Sequence, residues 1–199
     1  MSQDTVNVFL SGVGGQGLVL VNRLLARAAI LSGLDAKSTD THGLAMRGGA
    51  VIGTLRMGTA VPTSLFPPGK GHLLLGLEPL EALRHAHMMA PGATVVTSTD
   101  ELWPSPILLE KAKMPGDWRE QITSRGLQVV ELSGVALSLA AGDYRMLNVV
   151  LAGAASPFLP LDFAKLQEAT TAQVPKGTED DNLQALAAGR RATEGQAES

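Results

Sequence analysis

The chain of 199 residues contains no cysteine. That excludes disulfides, thiolate nucleophiles and cysteine-ligated iron–sulfur clusters from this polypeptide. Aromatic residues make up only 4% and charged residues 18%, against 45% hydrophobic residues and 22 glycines. A surface this poor in charge points to coverage by partners, as a homo- or hetero-oligomer. With a net charge of −3 there is no basic excess to hold nucleic acid or an anionic membrane. No apolar run approaches the roughly 20 residues that span a bilayer. Met1 to Thr5 carries no basic stretch, and Val6 to Leu10 is too short for a signal core. These features give the expectation of a cytoplasmic protein.

What is present alternates between strand and helix. Val6–Leu10 reads as a buried strand running into a glycine-rich turn, and Leu18, Val21, Leu24, Leu25 and Ala28 then recur at helical spacing up to Ser32-Gly33. Ala36–Thr39 and Ala50–Arg56 read as further strands, with a loop over 43–49. Leu73–Leu77 is apolar without alternation, as in a central strand covered on both faces. Pro79 opens a helix extending to Ala90 and stopped by Pro91-Gly92. Ala93–Thr97 and Leu127–Leu132 are strands, and 105–125 is ambiguous and partly helical. Helices follow over 135–141, 144–155 and 161–172, then an alanine-rich helix to about Arg191 and a loose tail. The expected fold is α/β: a Rossmann-like, doubly wound, mostly parallel sheet with C-terminal helices, one domain over residues 1–191.

Gly12, Gly14 and Gly17 form G-x-G-x-x-G between the first strand and the first helix. Such a turn keeps side chains away so that backbone amides approach a diphosphate, and the helix N-terminus adds partial positive charge. Read alone, the turn serves either a phosphate-bearing ligand or helix–sheet packing. A dinucleotide would also need an acid after the second strand, where Asp35 and Asp40 lie. Gln16 places an amide where it can reach a ligand or a neighbouring subunit's backbone. Arg47-Gly48-Gly49 sets a permanent charge beside bare backbone, a pattern suited to an anion or a partner carboxylate.

Other chemistry-bearing residues have simpler readings. His85 and His87 are two apart and face different sides of a helix, so they share no metal. Glu78 and Glu81 lie in the first turn of their helix, where carboxylates favour the dipole. No nucleophile elbow surrounds Ser11. No residue reads as catalytic or as a metal ligand.

Together the G-x-G-G-Q-G turn (Gly12, Gly14, Gly15, Gln16, Gly17), Arg47-Gly48-Gly49 with Arg56, and Asn148 in a late helix closely resemble the gamma subunit or domain of the pyruvate and 2-oxoacid:ferredoxin oxidoreductases. That family includes the indolepyruvate oxidoreductase beta subunit. Leu159-Pro160-Leu161 and Asn182 extend the resemblance over roughly residues 5 to 190, while Trp103–Trp118 carries no family motif. The resemblance implies an accessory chain, not catalytic alone. Thiamine diphosphate and iron–sulfur clusters would sit in partner subunits, and electrons would leave indirectly to ferredoxin. It also implies a contact with coenzyme A at Gly12–Gly17 and Arg47–Gly49. The alternatives are a stand-alone NAD-binding dehydrogenase and a non-catalytic nucleotide-binding adaptor.

Overall fold

A computed structural model describes residues 5–41, 49–101 and 115–196. The six strands are β1 (Val6–Val13), β2 (Asp35–Thr41), β3 (Ala50–Gly58), β4 (Gly71–Gly76), β5 (Met89–Ser98) and β6 (Gln128–Leu132). They form one sheet in the order β2-β3-β1-β4-β5-β6. β1, β4, β5 and β6 run parallel, whereas β3 lies between β1 and β2 and is antiparallel to both. The mostly parallel α/β sheet expected from the sequence is therefore present. The antiparallel β3 interrupts it, occupying the place beside β1 that the second strand takes in a dinucleotide fold.

Helix α1 (Leu18–Leu31) covers one face of β1–β3. The same layer holds α5 (Leu147–Ala155), α6 (Phe163–Gln173) and α7 (Glu179–Thr193). The other face carries α2 (Pro79–His85) against β1, β4 and β5, and α3 (Trp118–Thr123) against β6. A short α4 (Gly134–Ala140) follows β6. The run Leu73-Leu74-Leu75 explains the double cover. Leu73 and Leu75 enter the core under α1 and α5, Leu74 enters the core under α2, and all three are buried.

Two boundaries differ from the sequence reading. α2 stops at His85, a 3₁₀ turn spans Ala86–Met88, and β5 already begins at Met89. Pro91 and Gly92 thus lie inside β5 instead of ending a helix. Its pairing with β4 shifts register there, and Gly92 adopts φ 79°. At the C-terminus α7 runs through Thr193, which is fully buried and donates its hydroxyl to Ala154 O at 2.8 Å. The ordered helix thus passes the expected boundary at Arg191. No helix among the described residues is long and apolar enough to cross a membrane.

Candidate functional site

β1 ends at Val13, and the chain reverses through Gly14–Gly17 before entering α1. Gln16 N donates to Val13 O at 3.1 Å, and Gly14 N donates to Gly49 O at 2.8 Å. Gly15 and Gly17 have φ 104° and 79°, the left-handed region that glycine occupies without strain. The Gln16 side chain turns inward. Its Oε1 accepts from Val13 N at 2.7 Å and its Nε2 donates to Leu77 O at 3.3 Å, tying the turn to the end of β4. A Cβ at residue 12 would lie 2.9 Å from Gln16 Oε1 and 3.0 Å from Leu77 Cβ, so Gly12 serves this packing. Gln16 therefore organises the turn from within.

Gly17 is the N-cap of α1, and no side chain caps that end. Asn148 of α5 is buried against it, with Nδ2 3.5 Å from Gly17 O. The amides of Gly15, Gly17, Leu18 and Val19 donate to no acceptor among the described residues. At the start of a 14-residue helix, amides without an acceptor among the described residues add to the helix dipole, an arrangement whose electrostatics favour negative charge.

This turn floors a cleft of about 500 Å³ at the carboxyl edge of the parallel strands. Its other wall holds Asp100, Glu101, Tyr144, Arg145 and Asn148. Asp100 Oδ2 accepts from Val135 N at 2.7 Å and from Ser98 Oγ at 2.6 Å, so its carboxylate is hydrogen-bonded at the start of α4. Arg145 pairs with Asp143 at 2.6 Å, and that partner holds the Asp143 carboxyl below the usual carboxylate range. Tyr144, the sole tyrosine, is 64% exposed. The sequence reading missed this wall. The signal was available, since Asp100 follows β5 as Gly14 follows β1, and carboxyl ends share an edge.

Of the sequence-predicted site, Gly14, Gly15, Gln16 and Gly17 line the cleft, Gly12 packs beneath, and Gly49 is hydrogen-bonded to the turn. Arg47 and Gly48 lie outside the described residues. Arg56 stands at the opposite end of β1. Its Nε donates to Asn7 Oδ1 at 2.8 Å, and its guanidinium holds the carbonyls of Thr63 and Leu65. Neither candidate ribose acid is free. Asp40 Oδ1 accepts from Asn22 Nδ2 at 2.6 Å, and Asp35 Oδ2 accepts from Val61 N at 2.7 Å.

The two histidines do not diverge as expected. The chain leaves α2 at Ala86, and the 3₁₀ turn brings the rings to 6.2 Å between centroids along one cleft. Glu78 and Glu81 are fully buried. Glu78 caps α2, accepting from Leu80 N and Glu81 N, and Glu81 pairs with Arg84. Burial pushes Glu78 up to about 7 from the ordinary 4.5, and its two backbone hydrogen bonds offset only part of that. Between those values the folded chain binds more proton than the unfolded one. Stability should therefore fall as pH rises from about 4.5 through about 7. Denaturant titrations across that range should show the slope in the parent chain and a flatter one in Glu78→Gln.

The model of the pyruvate ferredoxin/flavodoxin oxidoreductase family matches residues 7–192. This chain belongs to that family. A Thermococcus kodakarensis relative, indolepyruvate oxidoreductase subunit IorB, is 32% identical over 191 residues, covering 94% of this chain and 95% of its own. The 2-oxoglutarate synthase subunit KorC of Methanocaldococcus jannaschii is 26% identical, with 90% and 89% covered. Among solved structures, the keto/oxoacid ferredoxin oxidoreductase gamma subunit of Geobacter sulfurreducens superposes with a TM-score of 0.72 at 21% identity. That match covers 94% of this chain and 98% of the other. This chain thus shares its overall fold with that subunit.

Proposed function

We infer that this chain is the small accessory subunit of a complex that oxidatively decarboxylates a 2-oxoacid to an acyl-coenzyme A and passes electrons to ferredoxin. The family match over nearly the whole chain carries this reading. Relatives named for indolepyruvate stand at 30–32% identity against 26% for a relative named for 2-oxoglutarate, which favours an aryl 2-oxoacid. With no cysteine, this chain has no thiolate ligands for an iron–sulfur cluster, so the clusters fall to partner subunits, and membership of this family assigns thiamine diphosphate to partners as well. The amides of Gly15, Gly17, Leu18 and Val19, which have no acceptor among the described residues, suit a phosphate of coenzyme A, and Arg47 and Gly48 come from the chain segment between β2 and β3.

The native complex tests this. A tagged chain expressed in its own host should copurify with iron- and thiamine-containing subunits and reduce an acceptor when given indolepyruvate and coenzyme A. Recovery of the chain without either would overturn the reading. In the same complex Arg47→Ala should weaken coenzyme A use or assembly by about 1.5–3 kcal/mol, the range for charge-assisted hydrogen bonds. Unchanged coenzyme A kinetics and assembly would remove Arg47 from the site.

A further inference from the structure

A second cleft, of about 390 Å³, lies beside α2 over β1, β2 and β3, away from the glycine turn. The strand register builds it, because Phe9, Thr54 and Thr39 stand opposite one another across β1, β3 and β2. Phe9 meets Phe66 edge-on at 6.4 Å between centroids and stacks with His85 at 5.2 Å. Ile52 and Met88 add aliphatic walls. Thr54 is 7% exposed, and its buried hydroxyl has no hydrogen-bond partner among the described residues. A buried hydroxyl left unpaired is costly, and such exceptions need an explanation.

The histidines supply the complementary half. His85 Nδ1 lies 3.0 Å from Glu81 O, and His87 Nδ1 lies 3.0 Å from Arg84 O. Carbonyl oxygens only accept, so each Nδ1 carries a proton, and in that tautomer Nε2 is the acceptor. The cleft therefore combines aromatic walls, two histidine rings and a buried hydroxyl with no partner among the described residues. A volume near 400 Å³ lies within the range of small-molecule sites.

We propose that this cleft binds a planar aryl group carrying a hydrogen-bond donor, of the size of an indole ring. The ring lies among Phe9, Phe66 and Ile52, and its donor meets the Thr54 hydroxyl. This site is separate from the glycine turn and does not depend on which 2-oxoacid the complex uses.

Indole and indene make the discriminating pair, since they share a shape and only indole has the N–H. With methyl-labelled full-length chain, indole should give saturable NMR shifts at Ile52 and Met88, and indene should bind about fivefold more weakly, the equivalent of one net hydrogen bond. Thr54→Val should remove most of that preference while leaving indene binding unchanged. Ile52→Trp, which fills the cleft, should abolish both without altering the methyl signals of Val19 or Leu20 in α1. Absence of saturable shifts at Ile52 and Met88 would overturn the proposal, and would leave the cleft as a surface for a protein partner. Equal affinity for the two probes, in the parent and in Thr54→Val, would also overturn it.

Discussion

Gly189→Ala is expected to destabilise the chain by at least about 3 kcal/mol, at the upper end of overpacking. Helix propensity alone gives the opposite sign, because alanine in a helix interior is about 1 kcal/mol better than glycine. The crossing of α5 and α7 decides between them. A Cβ on Gly189 would strike Val150 O and lie 3.0 Å from Ala154 N, and a Cβ on Gly153 would strike Leu186 O and lie 3.2 Å from Arg190 N. The obstacles are backbone atoms, which have no rotamer to change, so the helices would have to separate. Leu151, Ala154, Ala185 and Leu186 pack in the core around this crossing. Urea unfolding of the parent and of Gly189→Ala would measure the effect. A gain in stability would show that the helices part at little cost.

The sequence made the parallel core legible because burial on both faces leaves a non-alternating run such as Leu73–Leu75. The glycine turn was legible because its spacing is tied to one strand–helix junction. The reversed direction of β3 was not read, since alternation along a strand says nothing about its partner's polarity. Eight residues separate Thr41 from Ala50, however, and a parallel crossover needs a dozen or more. That gap length already implied an antiparallel return, though not that β3 would displace β2 from the side of β1. The same displacement weakens a dinucleotide reading more firmly than the occupied carboxylates of Asp35 and Asp40 do.

Side-chain fates were less legible than strands. Gln16 carries the same amide whether it faces a ligand or Leu77 O, and only the close approach at Gly12 shows which occurs. Glu78 and Glu81 look like ordinary first-turn acids, but α2 lies across β1, β4 and β5 and takes both carboxylates into its interface. The acidic wall at Asp100 and the histidine-lined cleft both arise from residues distant in sequence meeting at one sheet edge or face.

Gly17→Ala should have the second large effect, on both stability and the proposed anion-binding end of α1. Two penalties combine. A left-handed backbone costs a non-glycine residue on the order of 1 kcal/mol or more. The new methyl group would also collide with Asn148 Nδ2 and lie 3.2 Å from its Cγ. The obstacle here is the end of a side chain, so Asn148 can withdraw, at the expense of its packing over the turn. A double-mutant cycle separates the two penalties. Asn148→Ala alone should cost about 1 kcal/mol for the lost hydrogen bond and packing. In its presence Gly17→Ala should become milder by about 1–2 kcal/mol, leaving only the backbone strain. Additive losses would mean that Asn148 does not press on the turn. Gly15→Ala is the internal control, because Gly15 shares the positive φ, at 104°, but has open space where its Cβ would go. It should show the backbone penalty alone and no coupling to Asn148.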